Sequence, residues 1–412
     1  ITVLIVIFQI EYKNCVFHTY LLECKTPSMI KNTKDLQSFC QRVRSSDYIT
    51  VDTEFMREKT YWPILCLVQI AGSNDAECID ALADNIDLEP LYDLMADDSV
   101  LKVFHAARQD LEIFFHQAGQ VPNPVFDTQV AAMVCGFGDS VGYETLIAEL
   151  VRVQVDKGSR FTDWTLRPLS DRQIDYALAD VTHLRPAYEK LSEMLTINDR
   201  KSWLAEEMAI LGSADTYNGN PREAFRRIKV RNSNLQMLAV LRELAAWRET
   251  EAQRRDVPRN RIMRDEQLAE IAHHSPKSAE QLARTRGLGE KLAYGNYGQK
   301  ILNAIKIARE LNDIDCPKPV HKKKLPRGLG PVTDLLKVLL KMKSEDSDVA
   351  SKLIASASDI DLIAAFQENA DVRALKGWRR EVFGNDALKI CTGELSLSVK
   401  GKKLELFPTL NG

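Results

Sequence analysis

Two changes of pattern along the chain predict an α/β protein in which a mixed-sheet domain precedes two small all-helical domains. From Met29 to about Met208 short apolar strands alternate with amphipathic helices, and after Gly212 the strand signals stop. The charge divides at the same place. Residues 1–210 hold 19 Lys+Arg against 32 Asp+Glu, a balance of −13, while residues 211–412 hold 36 against 26, a balance of +10. At 412 residues and 45% hydrophobic content there is enough chain for two or three cores, because single cores stop growing near roughly 250 residues.

The elements follow in order. The apolar run Ile1 to Ile10 is far short of the roughly 20 residues of a membrane span and lacks a basic leader and a cleavage site. No membrane segment is expected, a cytoplasmic location is, and residues 1–28 are read as an extension without function. Residues 29–210 form the mixed-sheet domain. Tyr48 to Asp52 and Leu65 to Ile70 read as strands joined through a turn at Trp62-Pro63, and Leu101 to Phe104 as a buried strand. Ala106 to Gln117 reads as a helix with Leu111, Phe114 and Phe115 on its apolar side. Asp171 to Leu195 reads as one long helix capped by Ser170, and Asp127 as the cap of the helix through Val130 and Ala131. Residues 228–312 form the first helical domain, 313–331 a basic Pro/Gly linker, 332–385 a second, degenerate copy, and 386–412 a tail in which Leu395 to Phe407 alternates as a hairpin would. In the second copy Val332 to Met342, Asp346 to Ser356, Ile360 to Gln367 and Arg373 to Phe383 read as helices. The eight cysteines show neither a CxxC pair nor metal-ligand spacing, so reduced thiols are expected.

An acidic half suits a site that collects divalent cations, and a basic half suits a polyanion such as nucleic acid. Asp52-Thr53-Glu54 places two carboxylates at i and i+2 on one side of a strand end. Alone, that pattern is more readily an exposed polar strand end. Asp110, at a helix start after the strand Val103-Phe104, and Asp180, one helical turn after Tyr176, change the weighing. At i and i+4, Tyr176 and Asp180 share a helix face, which sets a phenol beside a carboxylate. There is no GxxxxGK[ST] phosphate loop, GxSxG elbow or HExxH zinc motif.

Together Val51-Asp-Thr-Glu-Phe55, His105-Ala-Ala-Arg-Gln-Asp110 and Tyr176-Ala-Leu-Ala-Asp180 resemble the three exonuclease motifs of the DEDD superfamily. The histidine-bearing branch would place His where Asp175 stands, so the tyrosine-bearing branch fits. The resemblance sharpens toward the ribonuclease D family in Val103 to Glu112, Phe126 to Gln129 and Lys157 to Ser170, and extends over roughly residues 29–385. It implies an RNase H-like mixed-sheet 3′-5′ exonuclease domain. It also implies two divalent cations, Mg²⁺ or Mn²⁺, in an all-oxygen site of Asp52, Glu54, Asp110 and Asp180. By the same resemblance Asp52 bridges both ions, Glu54 and Asp180 complete the site that activates water, Asp110 holds the second ion largely through waters, and Tyr176 positions the nucleophile.

Gln69, His105, Lys157 and Arg160 are carried over as residues bordering the substrate. Leu238 to Asp265 resembles the helicase and RNase D C-terminal (HRDC) domain, a helical nucleic-acid-binding module. Its central loop is crowded by Arg254, Arg255, Arg259, Arg261 and Arg264, of which Arg259 and Arg261 are candidate phosphate contacts. The expected partner is RNA, in particular transfer RNA precursors and other small structured RNAs. The alternatives are a DNA-directed proofreading exonuclease with the same acids and, from another class, a catalytically silent RNA-binding protein. Loss of any one acid would favour the last, and all four are present.

Overall fold

The computed structural model describes residues 29–156, 158, 162–231, 233–319 and 325–409, so the expected extension 1–28 lies outside the described residues. Six strands form one mixed sheet: β1 (Met29–Ile30), β2 (Tyr48–Met56), β3 (Ile64–Ala71), β4 (Ala76–Asp80), β5 (Leu101–Phe104) and β6 (Val125–Asp127), in the order β1-β4-β3-β2-β5-β6. β2, β3 and β4 pair antiparallel, while β1 with β4, β2 with β5 and β5 with β6 pair parallel. One face of the sheet packs on α1 (Thr33–Val43), α2 (Glu89–Met95) and α3 (Arg108–Ala118). Ile49, Val51, Val68, Ile70 and Phe104 meet Leu36, Phe39, Leu91, Leu94 and Phe114 there.

Strand alternation sends the other residues of β2 to the opposite face. Over that face lie α6 (Asp171–Thr182) and α7 (Leu184–Ile197), with α4 (Thr128–Val134), α5 (Tyr143–Leu150) and α8 (Lys201–Leu211) beside them. The Thr50 hydroxyl donates to the Val181 carbonyl at 2.8 Å and ties α6 to the strand. The expected single helix from Asp171 to Leu195 is two, broken at His183. Pro186 explains the break: it has no N–H for the Thr182 carbonyl one turn earlier, and its ring crowds that group. This first core also takes in Leu211 and Tyr217, beyond the expected boundary at residue 210.

A second core runs from Ala224 to Cys316, wider than the expected 228–312. It is built on α9 (Leu235–Arg255), with α10 (Arg259–Ile262), α11 (Asp265–His274), α12 (Ala279–Ala283), α13 (Glu290–Ala293) and α14 (Asn296–Arg309). A third helical core gathers α15 (Gly330–Asp346), α16 (Ser351–Ile354), α17 (Ala357–Phe366), α18 (Gly377–Arg379) and α19 (Asn385–Thr392). Two expectations are corrected here. The helix expected over Asp346 to Ser356 is only the single turn of α16, since Asp348 sits in the left-handed region at φ 44° and stops α15. Residues 386–412 are not a bare tail: α19 and a hairpin of β7 (Leu395–Lys400) and β8 (Lys403–Pro408) lay Leu395, Leu397 and Leu406 on the third core.

Both helical units dock on the sheet domain, at different places. After α9, the Asp256 carboxylate accepts from the backbone N–H groups of Tyr61 and Trp62, both at 3.0 Å, in the turn between β2 and β3. The Tyr61 hydroxyl donates to Glu249 of α9 at 2.6 Å. The third unit clamps α8. Trp378 stacks on Trp203 with ring centroids 4.3 Å apart and 6° between planes, and the buried Arg379 pairs with Glu206 at 2.6 Å and with Glu207. Among the described residues no helix is long and apolar enough to cross a membrane, and Cys40, Cys66, Cys78, Cys135, Cys316 and Cys391 are free thiols.

Candidate active site

Because Ile49 and Val51 face α1–α3, Thr50, Asp52 and Glu54 point toward α6. The register slips at a bulge just past the two acids, between Glu54 and Phe55, and pairing resumes with Phe55 opposite Leu65. The third acid comes from α6, whose start is fixed by a capping box between Ser170 and Gln173 and whose Ile174, Ala177 and Val181 are buried against the sheet. The Tyr143 hydroxyl of α5 donates to the carbonyls of Ala179 at 2.9 Å and Asp180 at 2.8 Å, holding α6 at the acid. Asp52, Glu54 and Asp180 then each offer one oxygen, all within 4.8 Å of one another.

Burial raises the carboxyl of each of these acids above the ordinary range, and acidic neighbours add to it, within the trio for Asp52 and Glu54 and from Glu144 for Asp180. Glu54 is pushed up to about 9 by burial first and then by Asp52, Asp180 and Asp110. Asp52 is raised by burial and by Asp180; Asp180 is raised mainly by burial, against a hydrogen bond from Tyr176 that favours its charged form. Among the described residues no ion pair involves Asp52, Glu54, Asp110 or Asp180. A trio of hard oxygen donors with concentrated negative charge and no cationic side chain fits a divalent cation of the Mg²⁺ or Mn²⁺ type.

Asp110 stands apart from the trio. It lies in the first turn of α3, buried, and accepts from the Thr53 hydroxyl. Burial and Asp52 raise its carboxyl well above the usual range. The structure therefore brings three of the four sequence-chosen acids together and places the fourth beside them, facing Thr53.

The loop before α3 is held by Asp127. As the N-cap of α4 its carboxylate accepts from Gln129 N–H at 2.8 Å, as the sequence suggests, and it also takes the N–H groups of Ala106 at 3.0 Å and Ala107 at 2.9 Å. Those bonds hold Ala106 at φ 59°, a conformation rare for a residue with a Cβ. The same loop carries His105, whose Nδ1 sits 3.0 Å from the Thr128 hydroxyl and whose buried Nε2 has no hydrogen-bond partner. Burial keeps its imidazole below the usual histidine range. A cleft of about 370 Å³ is lined by Asp52, Glu54, His105, Tyr143, Tyr176 and Asp180, among others. Trp164 is buried beside Tyr176, ring centroids 6.3 Å apart.

The remaining candidates divide. Gln69 does not border the cleft: it is fully buried in β3, because its register partner Asp52 stands on the same face and α6 covers both. Lys157 and Arg160 lie outside the described residues. Arg261 is exposed on α10, and Arg259 is half-buried against Glu249 at 3.4 Å. Tyr143, Thr53 and Thr128 were not singled out in the sequence. Only their nonlocal partners reveal them, and no local spacing carries that signal.

The chain is similar to known proteins over most of its length. The 3′-5′ exonuclease family matches residues 27–196 and the HRDC domain matches residues 237–305. A ribonuclease D of Granulibacter bethesdensis is 50% identical over 385 residues, covering 93% of this chain and 97% of that protein. A ribonuclease D of Acidiphilium cryptum is 48% identical over 380 residues, covering 92% and 97%. Among solved structures, Escherichia coli RNase D, described as an exoribonuclease involved in structured RNA processing, superposes with a TM-score of 0.76 at 30% identity, covering 90% of this chain and 99% of that one.

Proposed function

The chain belongs to the ribonuclease D family and is a 3′-5′ exoribonuclease, and from that premise we propose that Asp52, Glu54, Asp110, Asp180 and Tyr176 are its catalytic residues. The observation that carries the reading is the convergence of three carboxylates from β2 and α6 within 4.8 Å, with no ion pair to any of them among the described residues. Asp52, Glu54 and Asp180 would hold the divalent cations, Mg²⁺ or Mn²⁺, and Asp110 would serve the second of the two from its place beside Thr53. Such ions supply an activated water, neutralise charge at the scissile phosphate and stabilise the leaving 3′-oxygen.

The protein's own groups supply position. Tyr176 shares a hydrogen bond with Asp180, so its phenol stands where it can orient the attacking water toward the phosphorus. His105, kept neutral by burial, lines the cleft where the terminal nucleotide would sit. The bond that breaks joins phosphorus to the 3′-oxygen of the preceding nucleotide. The products are a nucleoside 5′-monophosphate and a chain one nucleotide shorter with a new 3′-hydroxyl. The basic HRDC unit, with Arg259 and Arg261, would hold RNA upstream, and the third helical unit is read as a degenerate second copy. Transfer RNA precursors and other small structured RNAs are the proposed substrates, in keeping with the structured-RNA role named for the E. coli relative.

The test is incubation of the full chain with 3′-labelled and 5′-labelled RNA, with Mg²⁺ or with EDTA. The 3′ label should leave at once as a 5′-monophosphate, the 5′ label should shorten stepwise, and EDTA should stop both. Products ending in 3′-phosphate, or full activity in EDTA, would overturn the mechanism.

A further inference from the structure

Behind the acidic cleft, in the layer between sheet and α6, lies a polar side chain with no hydrogen-bond partner among the described residues. Gln69 is 0% exposed, and neither its Nε2 nor its Oε1 has a hydrogen-bond partner. Buried amides are almost always paired, so an exception calls for a reason. Its place in the sheet is fixed by register: Gln69 lies opposite Asp52 on β2 and opposite Cys78 on β4. Residues directly opposite in antiparallel strands share a face, with Cβ atoms about 5 Å apart. Thr50, two residues before Asp52, bonds α6 through the Val181 carbonyl, so this is the α6 face. Gln69 therefore lies in the layer between sheet and helix, with the fully buried Cys78 on one neighbouring strand and Asp52 on the other.

We propose that Gln69 is a positioning residue for Asp52, its amide N–H donating to the Asp52 carboxylate when that group holds a cation. Asp52 offers one oxygen toward Glu54 and Asp180. A ligating carboxylate has lone pairs left over, and those need donors if its orientation is to be fixed. Within the layer the Thr53 backbone N–H already serves Asp52, Cys78 offers only a weak S–H, and Gln69 is the neutral side chain with two N–H donors to give. A neutral amide does this without adding a positive charge that would compete with the cation. A methionine or leucine would fill the same space with no polar atom to bury, so packing alone does not ask for glutamine here.

The proposal rests on the reading of Asp52 as a cation ligand and is tested in the full chain with Gln69→Met, which keeps volume and removes both amide groups. Mn²⁺ binding is followed by the electron paramagnetic resonance of the free ion, unfolding is followed in EDTA, and kcat and KM are measured on a short 5′-labelled oligoribonucleotide. Loss of an outer partner of a metal ligand costs about 10–100-fold in affinity or activity, so Mn²⁺ affinity and kcat should each fall by at least about tenfold. KM should change little, and the unfolding midpoint in EDTA should hold or rise. Gln69→Asn, which keeps an amide on a shorter arm, should lie between the two. Mn²⁺ affinity within twofold of the parent chain would overturn the proposal, as would an EDTA midpoint that drops in step with activity or a methionine variant that does not fold. If the parent chain itself binds no Mn²⁺, the metal reading of Asp52 fails instead, and the two failures are told apart by that first titration.

Discussion

Removing the cations should make the stability of the exonuclease unit pH-dependent in a direction opposite to ordinary acid denaturation. Glu54 is raised from 4.5 to about 9 by burial and by its acidic neighbours, and Asp52 and Asp180 are raised for the same reasons. In EDTA the folded chain therefore keeps protons that the unfolded chain has released. Stability is fully present below the ordinary carboxylate range and falls as pH rises from there through about 9, with a slope of about 1.4 kcal/mol per pH unit for each proton held. Over three pH units Glu54 alone would give about 4 kcal/mol, and water in the open cleft reduces that to about 2 kcal/mol. For a unit of this size 1 kcal/mol moves the unfolding midpoint by about 2–4 °C, so about 4–8 °C is expected for Glu54. In Mg²⁺ the carboxylates stay ionised and this slope is absent. The assay is calorimetry of the full chain at pH 5, 6, 7 and 8, in EDTA and in Mg²⁺, following the transition of the sheet domain. The gap between the two conditions should widen toward pH 8. A gap that stays constant across that range would refute the idea that these acids carry mutual repulsion that a cation relieves.

Other outcomes follow from single side chains. Asp52→Asn should lower kcat by at least about a thousandfold with the fold intact, since it removes a charge central to the proposed cation site; a tenfold loss would move that role to another acid. Tyr176→Phe should lower kcat while leaving the KM for RNA nearly unchanged if the phenol acts on water as proposed; an unchanged kcat would reduce the ring to packing beside Trp164. Tyr143→Phe should weaken catalysis through α6, as the carbonyls of Ala179 and Asp180 lose a shared donor, at a stability cost of about 1–3 kcal/mol readable by urea unfolding. Arg261→Glu should flatten the slope of log affinity for transfer RNA against log salt by about 1 and leave cleavage of a dinucleotide unaltered; an unchanged slope would take Arg261 off the RNA path.

What could be read from the sequence was whatever depends on local period. Asp52 and Glu54 share a strand face at i and i+2, and Tyr176 and Asp180 share a helix face at i and i+4; the hydrogen bond between the last two is the contact that spacing implies. Contacts made across long stretches of chain were not readable. Thr53 reaches Asp110 across 57 residues, and the turn after β2 is gripped by Asp256 across 194 and 195 residues. Gln69 shows the limit most plainly. Alternation puts it on the same face as Asp52, but only the position of α6 decides whether that stretch of face is cleft or core. The break at His183 was readable in principle from Pro186, and the hairpin after Glu394 from its alternation, although not that it packs on the third core.

The charge split carries less RNA-binding meaning than its size suggests, because the structure uses part of it internally. Arg379 and Arg373 pair with Glu206 and Glu207 across the clamp on α8. Within the HRDC unit, Arg248 is buried on Asp265, Arg254 pairs with Glu251, Arg259 with Glu249, and Arg255 bonds the Tyr297 hydroxyl. Of the five arginines crowded around α10, Arg255, Arg261 and Arg264 are the three whose side chains have no ion pair among the described residues, Arg255 bonding only the neutral Tyr297 hydroxyl. A positive charge already neutralised by a carboxylate releases few counterions on meeting a phosphate, so it adds little to the salt-dependent part of binding. The attraction for RNA should therefore concentrate on Arg255, Arg261 and Arg264, while Arg259 helps Glu249 and Asp256 hold the turn between β2 and β3. The HRDC unit would then act on the exonuclease in two separable ways, by attracting the polyanion and by bracing the turn between β2 and β3.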